Sequence, residues 1–138
     1  MSATNFSLTP PLYVPDNPAD EIIVGVAPLA GEDVVVKHYA NSFRDTHLKQ
    51  VLDARNIDTL VVVGAMSHMC VEAVSRAASD LGYGVTVVHD ACATRALEFD
   101  GTVVPASYVH AVSMAALAFG YASVTSTAEW QSATPAIA

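Results

Sequence analysis

The chain has 138 residues, 52% of them apolar, and a formal net charge of −8 from 6 basic against 14 acidic side chains. That length suits one domain, and without clustered Lys and Arg a phosphate-backbone footprint or an anionic membrane surface is a poor partner. The apolar runs, Thr59 to Val63 among them, are far shorter than the ~20 residues of a membrane span.

Two cysteines, Cys70 and Cys92, make no CxxC pair. Reduced thiols and a cytoplasmic location are the expectation. The N-terminus shows no basic stretch leading into an apolar one, so no secretory signal is expected. A mean hydropathy of +0.38 predicts strands buried on both faces, as in a parallel sheet.

Residues 1–20 carry Pro10, Pro11, Pro15 and Pro18 among small polar residues and read as an irregular arm. Glu21 to Val26 is a short apolar run, an edge strand or a loop, and Pro28 stops it. Val34 to Lys37 reads as a short strand ending in a charge. A helix is expected from His47 to Ala54, capped by Asp45 or Thr46, with Leu48, Val51 and Leu52 on one face and Asn56 closing it.

Thr59 to Val63 is a β-branched run bounded by Gly64, which predicts a buried strand. After the link Ala65 to Met69, a helix is expected from Cys70 to Leu81, ended by Gly82 and Gly84. Val85 to His89 reads as a strand stopping at Asp90. The stretch 92–101 is open between a short helix and a loop. Pro105 starts a helix that runs to Phe119, and Tyr121 to Thr125 is the last strand. Residues 131–138 read as a flexible tail, which leaves 21–130 as the α/β domain.

Strands alternating with helical crossovers predict a Rossmann-like three-layer α/β/α fold with a parallel sheet. Ligands of such folds sit beyond the carboxyl ends of the strands. That rule sets Lys37, the link Ala65 to Cys70, and Asp90 along one rim.

Cys70 opens the predicted helix. Unpaired N–H groups and partial positive charge at a helix start favour a thiolate and can receive an oxyanion. The alternative is a buried apolar cysteine. Lys37 either holds a thiolate or carboxylate by charge or is a surface lysine closing its strand. Asp90 either joins the rim or caps a turn. His68, two residues before Cys70, is weighed as a catalytic partner, a substrate-shaping residue or a bystander. Cys92 reads as a small packing residue. No His, Cys and Glu spacing gives a metal site, and Gly82-Tyr83-Gly84 is no phosphate loop, so no cofactor is expected.

The run Val61-Val62-Val63-Gly64-Ala65-Met66-Ser67-His68-Met69-Cys70-Val71-Glu72-Ala73 resembles the nucleophile segment of the isochorismatase-like cysteine hydrolases. Val36-Lys37, Asn41-Ser42-Phe43 and Thr46-His47-Leu48 resemble the family's lysine segment. Arg76 to Asp90, Asp90-Ala91-Cys92-Ala93, and His110 with Met114 to Leu117 and Val124 to Glu129 resemble its later pieces, in order.

The resemblance implies Cys70 as nucleophile and Lys37 as the second triad member. It also implies an oxyanion hole from the N–H groups of Met66 and Cys70, and a cis Ala65–Met66 bond. Ser67, His68, Asn41 and Phe43 become candidate substrate-shaping residues. Ser67 replaces the family's usual Thr, and His68 stands where many members have Asp or Glu. The implied reaction is hydrolysis of a small amide, carbamoyl or related substrate.

The family opens with an apolar strand ending in a catalytic Asp, and nothing before Lys37 matches it. Asp16 and Asp20 are poor substitutes, having no apolar strand before them. The expected N-terminal part is therefore truncated or rearranged: a fragment, a site completed by another copy or chain, or a catalytically weak or inactive relative acting as an interaction or regulatory module. A four-strand remainder exposes apolar surface, which predicts a homo-oligomer or a complementing chain.

Overall fold

A computed structural model describes residues 2–3 and 24–133. Apart from Ser2–Ala3, the Pro-rich arm lies outside the described residues, as do Asp16, Asp20 and the tail beyond Ala133. The chain divides into two compact units, Met1–Asn56 and Ile57–Ala138.

In the first unit, β1 (Ser2–Ala3) pairs in parallel with β2 (Val34–Val35). The valine run was expected to stay extended to Lys37; the strand ends two residues earlier, leaving Val36 exposed while Lys37 is buried. A 3-10 turn occupies Val24–Val26. Helix α1 (Leu48–Ala54) buries Leu48 and Leu52. The Thr46 hydroxyl accepts the Leu48 N–H at 3.3 Å and donates to the Ser42 carbonyl, so Thr46, not Asp45, supports the helix start. Lys49 and Asp53 pair along its exposed face at 2.7 Å.

The second unit holds the main sheet. Strands β3 (Thr59–Ala65), β4 (Gly84–Ala93) and a later β7 (Ser123–Thr125) are parallel in the order β3-β4-β7. Thr59 to Val63 is β-branched except for Leu60, which favours a pleated, half-buried surface. Burial alternates along β3: Leu60 and Val62 are buried, whereas Val61 and Val63 are more than 40% exposed. The expectation of strands buried on both faces thus fails for β3, an edge strand of this sheet.

The strands run longer than their apolar runs. β3 continues through Gly64 to Ala65, and β4 passes Asp90 to reach Ala93. The register explains both. Val62 pairs with Val87, but Gly64 and Ala65 pair with Cys92 and Ala93. The ladder resumes after an irregularity and draws the polar end of β4 back beside β3.

A π-helical turn, Ser67–Val71, follows β3 and leads into α2 (Glu72–Asp80). Val74, Ser75 and Ala78 are the buried face of α2, which packs on β4. The open stretch 92–101 resolves as strand, not helix. A hairpin of β5 (Leu97–Phe99) and β6 (Thr102–Val104) turns at Asp100-Gly101, with φ of +49° and +74°. Positive φ at both central residues is the type I′ pattern that Asp-Gly favours.

Helix α3 (Ala106–Gly120) starts after Pro105 as expected. Val109, Ser113, Met114 and Leu117 form its buried stripe. Complete burial of Leu117 contributes about 2–3 kcal/mol. The chain closes its described part with α4 (Thr127–Ala133), so a helix occupies residues 131–133, where a tail was expected. Its start carries reciprocal bonds: Glu129 accepts the Ser126 N–H at 2.9 Å, and Ser126 Oγ accepts the Glu129 N–H at 3.3 Å. This capping box, Ser126-Thr127-Ala128-Glu129, stands openly in the sequence.

Candidate active site

The turn that carries Cys70 sits at the carboxyl end of β3. Gly64 takes φ of +123°, a conformation that L side chains rarely adopt. The Ala65–Met66 peptide that follows is cis. Met66 caps the π-turn with extended backbone, and its carbonyl accepts the N–H groups of Met69 at 3.0 Å and Val71 at 3.3 Å.

Cys70 is the fourth residue of that turn and is 7% exposed. It does not open the α-helix as the periodicity predicted. The π-turn intervenes, and α2 begins two residues later at Glu72. The cause is the wider i→i+5 closure from Val71 to Met66, which replaces a first α-helical turn.

Ser67 is fully buried. Its Oγ lies 2.8 Å from His110 Nδ1 on α3 and donates within 3.3 Å of the Ala93 carbonyl on β4. Any part Ser67 has in shaping a substrate would act through these partners and not through exposed surface.

His68 points elsewhere. Its Nδ1 is 2.7 Å from Thr94 Oγ1. It lines a cavity of about 530 Å³ with Glu72, Leu97, Phe99, Tyr108 and Val112. Its imidazole is held below the ordinary value, first by burial and then by the Arg95 charge, with Glu72 opposing.

Asp90 does not serve the rim. β4 continues past it, so Cys92 and Ala93 flank Gly64 and Ala65 instead. Its carboxylate accepts the N–H of Thr127 at 2.7 Å and the hydroxyl at 2.8 Å. The hydroxyl bond first, then the backbone bond, hold Asp90 below the usual carboxylate range. It therefore secures the start of α4, which is the capping alternative, though with a partner 37 residues away. Cys92 is partly buried, 3.4 Å from the Val88 carbonyl, and burial raises its thiol.

In the first unit, Lys37 is 5% exposed and donates to the Tyr39 carbonyl at 3.2 Å. It is not the surface lysine of the plainer reading. Asn41 Oδ1 accepts the Phe43 N–H at 3.0 Å, so that side chain shapes its own loop. Phe43 is half-buried beside it. Among the described residues, no cluster of His, Cys, Asp and Glu could hold a metal ion, and no helix is long and apolar enough to cross a membrane.

In the sequence His110 stands only within a segment resembling the family's last helix, with nothing local that points to Ser67. The partners lie 43 residues apart, and no local pattern joins them.

The chain has clear counterparts among known proteins. An uncharacterised isochorismatase family protein of Bacillus subtilis is 46% identical over 115 residues, 83% of this chain and 64% of that protein. The crystal structure of a cysteine hydrolase from Pseudomonas syringae pv. phaseolicola superposes with a TM-score of 0.82 at 30% identity, covering 87% of this chain and 57% of that one. A maleamate amidohydrolase of Pseudomonas putida is 35% identical over 82 residues, 59% of this chain and 38% of that protein. The chain thus spans less than two-thirds of each of these relatives, and it shares the three-layer α/β fold of the solved one. The isochorismatase domain matches residues 3–129, a span that holds the cysteine turn and both its neighbouring strands, and the chain belongs to the isochorismatase family.

Proposed function

We propose that the chain carries the nucleophile part of a cysteine-hydrolase site acting on a small amide, carbamoyl or related substrate. The observation that carries this reading is the buried Cys70 thiol on the π-turn beyond the carboxyl end of β3, where ligands of parallel α/β folds bind. The resemblance to a maleamate amidohydrolase supports an amide as the bond broken.

In this reading a base takes the Cys70 proton and the thiolate forms a bond to the acyl carbon. The N–H groups of Met66 and Cys70 receive the charge on the tetrahedral oxygen. The C–N bond breaks, and the amine leaves with the proton the base had taken. Water then cleaves the thioester, restoring the thiol and releasing the acid. Lys37 is proposed as the lysine of the site, on the resemblance of its segment. His68 is proposed as a residue shaping the substrate, supported by its place in the cavity. Asn41 and Phe43 hold that role only through the lysine segment. The two thiols, neither in a disulfide, support a reducing compartment such as the cytoplasm. The apolar surface of the second unit supports self-association.

The test is Cys70→Ala (C70A) assayed on a panel of small amides and carbamoyl compounds. Loss of turnover by at least ~10³-fold is expected, since a nucleophile has no substitute. In parallel, iodoacetamide at pH 7 should label Cys70 faster than Cys92, whose raised thiol holds less thiolate. Retained turnover in the variant would refute the reading.

A further inference from the structure

We propose that His110 is a positioning residue for the nucleophile turn, acting through Ser67; the proposal rests on the reading of Cys70 as nucleophile.

The Ser67 hydroxyl is where three elements meet. Ser67 opens the π-turn after β3, Ala93 ends β4, and His110 projects from α3. The hydroxyl has one proton, and the Ala93 carbonyl can only accept. With Ser67 donating to that carbonyl at 3.3 Å, the 2.8 Å contact to His110 is satisfied when Nδ1 carries the proton. Both polar contacts of a fully buried hydroxyl are then met. Loss of either partner leaves a polar group without its bond, which is the costly case.

The turn needs such a tie. Its closure runs i→i+5 from Val71 to Met66 at 3.3 Å, longer than its companion from Met69 at 3.0 Å. Met66 contributes no side-chain cap. The residues carrying Cys70 thus follow a π-helical closure, not an i→i+4 one. Ser67 supplies a side-chain anchor three residues before Cys70. His110 is itself held firmly: its helix buries Val109, Ser113 and Met114 around it, and the His89 ring lies 6.3 Å away, tilted by 52°. His110 thus joins a rigid helix to the turn that sets the thiol and the oxyanion donors, where small displacements weigh heavily on rate.

The experiment compares His110→Leu, His110→Asn, Ser67→Ala and Ser67→Thr in the full chain. Asn sets an amide nitrogen near the place of Nδ1, and Thr keeps the hydroxyl. Two readouts are taken: kcat and KM on the amide hydrolysed best, and the rate of Cys70 alkylation by iodoacetamide in a Cys92→Ser background. The second needs no substrate and carries the test alone if turnover is weak. His110→Leu and Ser67→Ala should each lower kcat and the alkylation rate about ten-fold, with KM within two-fold of wild type. His110→Asn and Ser67→Thr should recover to within about three-fold. The double variant Ser67→Ala with His110→Leu should be no worse than either single one. If His110→Leu fails to fold, Ser67→Ala against Ser67→Thr, with His110→Asn against wild type, decide. Wild-type rates in Ser67→Ala, no rescue by Asn, or multiplicative losses in the double variant would overturn the proposal. C70A separates the two readings. If C70A keeps turnover, the nucleophile reading has failed; if C70A loses it while the Ser67 and His110 variants do not, only the positioning role has failed.

Discussion

His68 shows how neighbouring charges at one turn set a single group. Burial and Arg95 both disfavour its protonated form, while Glu72 favours it. Folding therefore excludes a proton from this imidazole. The sign follows: its contribution to stability is complete above the unfolded value near 6.5 and declines as pH falls through that value toward the lowered folded one. An NMR titration should place the His68 midpoint below 6.5. Arg95→Gln should move it up and Glu72→Gln further down. A midpoint at or above 6.5, or shifts in the reverse directions, would contradict this account. The same residue was readable in the sequence only as a neighbour of Cys70. Its cavity position depends on Thr94 and the β5-β6 hairpin, which lie 26 or more residues away. The positions of Cys70 and Lys37 beyond β-branched runs were legible in the sequence. The hydrogen-bond register around Cys70 was not, because the ties that shape a π-turn come from β4 and α3.

Among the elements, those with a strong local pattern match the structure: β3, the body of α2, and α3 after Pro105. The hairpin and α4 were missed although their signals are local, Asp-Gly in one and a Ser-to-Glu capping box in the other. The apolar pattern around them is too brief to draw notice. Each signal makes a prediction. Gly101 sits at φ +74° with nothing within 4 Å of an added Cβ, so Gly101→Ala meets only backbone strain. It should destabilise the fold by roughly 1 kcal/mol, seen as a lower urea midpoint with unchanged slope. A neutral or stabilising result would remove the type I′ assignment. At α4, Asp90 and Glu129 are both held below the carboxylate range by bonds to Thr127 and to Ser126, backbone first in the second case, with Thr125 adding to it. Folded values below unfolded ones mean the support is complete above about pH 4 and is lost as acid takes the pH through the lowered values. Trp130, the single tryptophan of the chain, lies on this helix. Its emission should change in that acid window, and the Asp90→Asn, Glu129→Gln double variant should lack the step. An identical acid profile in the double variant would show that these carboxylates do not hold α4.

At the scale of the whole molecule, net charge and apolar surface act against each other. Eight surplus negative charges repel a second copy. The second unit nevertheless exposes Phe119 at 95%, Phe99 at 81%, Val112 at 68% and Tyr108 at 66%, all on the hairpin or α3. Patches of that kind mark contact surfaces, and the attraction is insensitive to salt where the repulsion is not. Raising ionic strength from 0.01 M to 0.15 M shortens the screening length from about 30 Å to about 8 Å. Association should therefore strengthen with salt. Light scattering on the eluted protein should give a mass above the 14.4 kDa of one chain, with the larger species favoured at 0.15 M salt. Replacing Phe99 and Val112 by Glu adds charge within the same patch and should return the monomer at both salts. A 14.4 kDa species at every salt concentration would mean that the repulsion prevails and that this face stays open to solvent.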